Sequence, residues 1–398
     1  MKQIGIKILK VALAALLAVY VIMQVELQDR MLGPETEDEA PRIEVFGKLY
    51  GDWKTTAWEF QFNEYAADIK VPDATPYARL SASDLSTALE AGWEIRPGFL
   101  TILGGIRMGW FLIGTGLWGV LLVLAAVRWR VLLLAAGIRT SLSNAIRLCF
   151  VGYFFNNVMP GVTGGDVVRG ALITRGLESD RWKAALSVIV DRIIGLIALL
   201  TLAAIVLGWG LFFDSEESRY PNVLGKGVFL VLSATLLGGA AYLSRRVREF
   251  LGIERWLSKL PGGSTLTKID GALSVYRNSL PRLATAYFMS IPLQICGVLS
   301  FWAIGEALGA EIRIADDFVI FPVVQTISAI PVAPAGWGVG EWLYGTSFEL
   351  FGSTFTLGVA VSILFRLTTQ LGFGLIGGLV WVTSSQRKRE VHLIPSEK

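Results

Sequence analysis

Six apolar runs punctuate the chain: Ile4–Val25, Leu100–Val127, Ala184–Phe213, Val228–Leu243, Leu283–Leu308 and Phe355–Val382. A helix that crosses a bilayer needs about 20 predominantly apolar residues. The pattern therefore predicts six full membrane spans. Two further apolar stretches are interrupted. Leu142–Met159 runs into Pro160-Gly161-Val162-Thr163-Gly164-Gly165-Asp166, and a stretch ending at Ile330 runs into Pro331-Val332-Ala333-Pro334-Ala335-Gly336-Trp337-Gly338-Val339-Gly340-Glu341. Proline removes a backbone donor and glycine permits turns that other residues resist. Backbone of this kind is tolerated at membrane depth only where it faces protein or a watery cavity. Each interrupted stretch reads as a re-entrant hairpin. The predicted fold is an all-α polytopic helix bundle of six full spans and two broken hairpins.

Between the first two runs the character changes. Residues 26–98 carry Glu35, Glu37, Asp38 and Glu39, with recurring aromatics Trp53, Trp58, Phe60, Phe62 and Tyr65. This polar segment lies outside the bilayer, its aromatics packing a small core or resting on headgroups, as Trp and Tyr often do. The expected organisation is a first helix over 1–25, an extracytoplasmic segment over 26–98, a membrane domain over 99–385 and a short tail over 386–398. The first run opens with Lys2, Lys7 and Lys10, as a signal peptide does. Its long core and the absence of a small-residue cleavage pattern favour a retained helix.

Composition reinforces the reading. Hydrophobic residues make up 53 % and charged residues 17 %, against about 25 % charged in soluble domains. Basic residues concentrate at the N-terminus, after Val127, after Asp166, after Leu243 and after Val382. The intervening loops hold Glu35 to Glu39, then Asp214, Glu216 and Glu217, then Glu311, Asp316 and Asp317. The positive-inside rule puts the basic set and both termini in the cytoplasm of a cell-membrane protein. The assignment is self-consistent only if each broken stretch enters and leaves on one side, the first from the cytoplasm and the second from outside. Opposite orientation suggests an inverted repeat with a binding site between the halves near the midplane. The net charge of +3 gives no ground for a nucleic-acid partner.

Candidate chemistry is polar and confined to the breaks and a few intramembrane charges. Asp166 and Arg169, three residues apart, share a face if a helix resumes there. The plainer alternative is a cytoplasmic loop with Asp166 as a helix N-cap. Asp191, Arg192 and Arg366 lie within spans, where charge is costly and either pairs or lines a functional cavity. A structural ion pair is the alternative for each arginine. Asp191 and Arg192 point about 100° apart on a helix and should take different partners. Glu306 lies near a span end, where snorkelling accounts for it. Cys149 and Cys296 are small core residues without metal-ligand spacing, and the single histidine, His392, lies in the tail. No strand precedes the spaced glycines, so they are not a nucleotide loop, and no cofactor is expected.

These residues also carry a resemblance. The run Phe155, Asn157, Pro160-Gly161, Gly164-Gly165-Asp166 and Arg169, the later Asp191-Arg192-Ile193-Ile194-Gly195, and Ile330-Pro331 through Gly336, Gly338 and Gly340-Glu341 resemble the lysylphosphatidylglycerol synthase transmembrane family, the flippase-like membrane domain. Arg128-Trp129 fits as well, and the likeness covers about residues 100–385. It implies movement of lipids between leaflets. In that family the lysine-transferring domain is a separate soluble C-terminal unit. This chain stops about 15 residues after its last span, so no such domain is expected, and the 26–98 segment is longer than the family usually has.

The resulting expectation is a lipid translocase rather than an enzyme, acting on a phospholipid or a polyprenyl-linked lipid. Substrate contacts are assigned to Asn157, Pro160, Gly164, Gly165, Asp166, Arg169, Asp191, Arg192, Pro334, Gly336, Gly338, Glu341 and Arg366. Two rivals stand beside it. One is a membrane-embedded transferase with Asp166 or Glu341 as base. The other is a non-catalytic helper of a lipid-pathway enzyme. Partners are membrane lipids, with a homo-oligomer or such an enzyme left open.

Overall fold

The computed structural model describes residues 16–33, 44–51, 58–62, 79–80, 89–90, 92–158, 164–175, 177, 180–213, 222–251, 270–271, 273–328 and 337–386. A helix over 16–24 precedes five short strands: β1 Asp29–Leu32, β2 Glu44–Gly51, β3 Trp58–Phe62, β4 Arg79–Leu80 and β5 Glu94–Arg96. The α-helices that follow include α1 Phe99–Gly104, α2 Met108–Ala135, α3 Leu142–Val158, α4 Gly164–Thr174, α5 Arg181–Phe213, α6 Asn222–Leu243, α7 Arg245–Leu251, α8 Leu280–Leu308, α9 Ile314–Ser328, α10 Val339–Leu350, α11 Phe355–Arg366 and α12 Phe373–Gln386. A π-helical turn, Leu367–Gly372, joins the last two.

The membrane part is the expected all-α bundle. Among the described residues, five helical stretches are long and apolar enough to cross a bilayer: Met108–Ala135, Arg181–Trp209, Gly225–Tyr242, Leu280–Leu308 and Phe355–Ser384. They coincide with five of the six runs read from sequence. The first run lies mostly outside the described residues, as do the tail beyond Gln386 and the acidic loops around Glu37 and Glu217.

One boundary is corrected. The second apolar run, Leu100–Val127, is not one helix bounded by Arg128-Trp129-Arg130. Instead α1 ends at Gly104, a turn follows, and α2 continues past those charges to Ala135. Arg128 and Trp129 are buried inside the protein, so they do not mark a membrane edge.

The segment after the first helix is a β-sheet, which apolar periodicity had not foretold. Its order is β4-β3-β2-β1-β5, all antiparallel. On β2, Val45 and Leu49 face inward while Glu44, Phe46 and Lys48 face out, the alternation a half-buried strand requires. Gly47 is obligatory, because a Cβ there would lie 2.3 Å from the Phe60 ring. Phe60 and Met31 are fully buried, so Phe60 fills a small core. Buried Asp29 ties this sheet to α1: its carboxylate accepts from the Leu49 and Gly98 amides, each at 2.7 Å, and from the Thr101 hydroxyl at 3.0 Å.

The chain divides into two compact units. One contains 1–113, 303–312 and 337–364, including the sheet and α10; the other contains 114–302, 313–336 and 365–398. In the second unit an apolar layer of Trp129, Leu132, Leu133, Leu148, Ile173, Ala184 and Val188 joins α2, α3, α4 and α5. Phe365 packs edge to face against Trp118, Phe301 and Phe321.

Candidate functional site

The helices on either side of the first break, α3 and α4, pack against each other. Residues pair in antiparallel register along α3 and α4: Cys149 meets Arg169, and Gly152 meets Gly165. A Cβ on Gly165 would sit 1.7 Å from the Gly152 carbonyl oxygen, so only glycine permits this backbone contact. The Asn156 side chain accepts from the Gly165 amide at 2.8 Å. Asp166 lies in the first turn of α4 rather than at its cap.

The next residue along, Asn157, donates to the Gln370 carbonyl within the π-helical turn. A π turn displaces carbonyls from the regular ladder, and Asn157 satisfies this one. Below it α12 lies against α3 through glycines: a Cβ on Gly377 would come within 2.1 Å of the Phe150 carbonyl oxygen. Small residues let membrane helices approach this closely.

Beside α3 and α4 runs a line of alternating charge. Arg128 on α2 donates through Nε to Asp191 on α5 at 2.9 Å, and through Nη1 to Ser290 on α8 at 2.9 Å. The other Asp191 oxygen accepts from Arg169 Nη2 at 3.2 Å. Arg169 also lies 3.7 Å from Asp166 and stacks over the Trp129 ring at 4.5 Å. Trp129 is held by its indole N–H on Ser187 at 3.0 Å. Arg192 Nε then bonds the far oxygen of Asp166 at 2.6 Å. The order is Arg128–Asp191–Arg169–Asp166–Arg192, three cations and two carboxylates. Gly195, one turn after Asp191, makes room at the inner end, since a Cβ there would be 3.2 Å from Arg128 Nη1.

The line is buried except at one end. Arg128, Arg169 and Asp191 are each under a tenth exposed, whereas the Arg192 side chain is 53 % exposed. Its depth follows from helix geometry. Asp191 and Ser290 each sit ten residues beyond their helix starts, and Arg128 seven before its helix end, or about 10–15 Å at 1.5 Å per residue. The end of α2 and the start of α8 are level, because Arg282 Nη1 bonds the Leu134 carbonyl at 2.8 Å.

The expected site residues are therefore only partly gathered. Gly164, Gly165, Asp166, Arg169, Asp191 and Arg192 come together, with Asp191 and Arg192 taking different partners as their angular separation required. Arg128 joins them although its position directly after an apolar run reads in sequence as a membrane-edge charge. Arg366 is buried as the last residue of α11, next to the π-helical turn. Gly338 and Glu341 form a separate helix start in the other unit: Gly338 adopts φ 83°, and the Glu341 carboxylate accepts its amide at 2.6 Å. Pro160, Pro334 and Gly336 lie outside the described residues.

Comparison with known proteins finds the same stretch elsewhere. A family model described as the lysylphosphatidylglycerol synthase TM region matches residues 98–377, which spans every charged residue of the line. A UPF0104 membrane protein of Pyrococcus horikoshii is 25 % identical over 276 residues, 64 % of this chain and 81 % of that protein. Its counterpart in Methanocaldococcus jannaschii is 20 % identical over 260 residues, 63 % and 77 % of the two chains. A third, from Methanothermobacter thermautotrophicus, is 23 % identical over 283 residues, 65 % and 78 %.

Proposed function

Since the chain belongs to the lysylphosphatidylglycerol synthase TM-region family, we propose that this multi-pass membrane protein is a lipid translocase, moving an anionic phospholipid or polyprenyl-linked lipid between leaflets of the cell membrane. One observation carries the reading: a line of three arginines and two aspartates lies within the helices and opens at Arg192. Intramembrane charge is expensive; low insertion estimates are about 2.5–3.5 kcal/mol for a central Arg. Such groups persist where they pair or serve a charged passenger. An arginine fork suits a phosphate, which it grips through two parallel hydrogen bonds. The transferase alternative has less support from the same geometry, since Asp166, its candidate base, is already engaged by Arg169 at 3.7 Å and Arg192 at 2.6 Å.

The test is reconstitution. Purified protein in vesicles containing fluorescent phosphatidylglycerol should raise the fraction of probe reached by an impermeant quencher, and Asp191→Asn should abolish the increase. A helper protein would leave sidedness at the rate of protein-free vesicles, and that outcome would overturn the proposal.

A further inference from the structure

Charge along the buried line does not close. Asp191 divides its oxygens between Arg128 and Arg169. Asp166 faces Arg169 at 3.7 Å and Arg192 at 2.6 Å. Two carboxylates thus serve three guanidiniums, and the five side chains carry one net positive charge. The inner end is sealed by Ser290 and the backbone at Gly195. Only the Arg192 end is open: its side chain is 53 % exposed, against 14 % for Asp166. Among the described residues Arg192 is engaged through Nε alone, which leaves both Nη groups of its fork to a ligand. Arg169 Nε is buried and likewise has no hydrogen-bond partner among them.

We propose that Asp166 is a displaceable counter-ion for Arg192, standing where the phosphate of an anionic lipid headgroup binds. When the headgroup arrives, its phosphate takes the Arg192 fork. Asp166 turns to Arg169, already 3.7 Å away. Every guanidinium then has one anion: Arg128 with Asp191, Arg169 with Asp166, and Arg192 with phosphate. The exchange makes and breaks hydrogen bonds only. It avoids a state with an unpaired carboxylate in a medium of low dielectric, where such a group is most costly. The charge count also selects the passenger, because one net negative charge completes the line. A zwitterionic headgroup brings a cation that nothing at the open end offsets. The proposal rests on the translocase reading for its substrate but concerns binding alone, so the two fail separately.

The experiment measures equilibrium binding to full-length protein in neutral detergent. The probes are dihexanoyl-phosphatidylglycerol, dihexanoyl-phosphatidylcholine and inorganic phosphate. Wild type should bind the phosphatidylglycerol more tightly than the phosphatidylcholine. Asp166→Asn removes the competitor and should tighten phosphatidylglycerol binding about tenfold, while Arg192→Gln should weaken it by about the same factor, each the scale of one charge-assisted contact. The double variant Asp166→Asn/Arg192→Gln should match Arg192→Gln, since the carboxylate acts only through that arginine. Equal or weaker binding by Asp166→Asn refutes the exchange, as does a double variant that keeps the tightening. Loss of the folded peak in Asp166→Asn also refutes it, because a displaceable group must be dispensable for folding. If inorganic phosphate reproduces both shifts at the same concentrations, the ligand is free phosphate and the lipid assignment falls. If the pattern holds for the lipid while vesicles show no translocation, the counter-ion role stands and only the transport reading is lost.

Discussion

Arg128 offers a sharp test of the charged line, because its burial and that of Arg192 differ so widely. Arg128 is 6 % exposed and bonds Asp191 and Ser290 at 2.9 Å each. Arg128→Met keeps most of the volume but leaves Asp191 with Arg169 alone. Removing one member of a buried pair costs about 3–5 kcal/mol, and the remaining arginine places the expected loss near the lower end, about 3 kcal/mol. Asp191→Leu strips both inner guanidiniums of their shared carboxylate and should reach the upper end of the same range. Arg192→Met removes a pair whose cation is half exposed, and such pairs are worth about 0–1 kcal/mol. The assay is heating of detergent-solubilised protein followed by size-exclusion chromatography, scoring the temperature at which half the folded peak is lost. The expected order is wild type close to Arg192→Met, then Arg128→Met, then Asp191→Leu. Arg128→Lys should fall between wild type and Arg128→Met, since an ammonium keeps the charge without the fork that reaches both partners. An Arg128→Met protein as heat-resistant as wild type, or an Arg192→Met protein as labile as Arg128→Met, would refute the buried line.

Other outcomes follow from single sites. Gly165→Ala should lose the folded peak because its Cβ has no room against Gly152, whereas Gly116→Ala, with nothing within 4 Å, should not. Gly338→Ala should cost about 1–2 kcal/mol for the left-handed backbone at φ 83°, visible as a lower melting temperature. Burial raises the Asp270 pKa, but hydrogen bonds from Arg248 and Tyr242 outweigh it and hold the carboxyl below its ordinary value. Its stabilising share is therefore present above about pH 4 and lost as pH falls through the lowered pKa, so the melting-temperature deficit of Asp270→Asn should close in acid. With Cys149 and Cys296 replaced, a cysteine at exposed Glu311 should react with an impermeant thiol reagent outside intact cells and one at exposed Arg246 should not. Asp317 is unsuitable for that purpose, being 2 % exposed. In the vesicle assay Arg366→Lys should be impaired and Arg366→Ala inactive while both keep a folded elution profile; Arg366→Ala at the wild-type rate would remove that residue from the site.

Sequence periodicity located the spans because length and apolarity are all a bilayer demands of a helix. It failed where the same residue types had another job. Arg128-Trp129-Arg130 resembles a stop at a membrane edge, but five more residues, Val131 to Ala135, continue the helix, and the charge is neutralised by a carboxylate 63 positions away. Nothing local announces that partner. The sheet escaped notice for a different reason. Only Val45 and Leu49 mark the inward face of β2, and the position between them is Gly47, which a ring from the next strand covers. Two apolar side chains and a glycine do not register as a strand until the neighbour that needs the gap is known.

The first two motifs of the resemblance, together with Arg128-Trp129, are pieces of one arrangement. Gly165-Asp166 with Arg169 supplies the contact between α3 and α4, one carboxylate and one guanidinium. Asp191 through Gly195 supplies the central carboxylate, the open arginine and the space for Arg128. Arg128-Trp129 acts on both sides at once, one residue bonding Asp191 and the next supporting Arg169 from below. Each piece alone admits a plain structural reading, such as a tight turn, a membrane-edge cation or an ion pair between helices. Together, among the described residues, they leave one positive charge uncompensated, and the line is exposed at its Arg192 end. A purely structural clasp has no reason to keep that surplus, because a third carboxylate near Arg192 would stabilise it. A site that must receive and release an anion needs the surplus. It must also be modest, since a strongly positive pocket would bind its passenger too tightly to let it go.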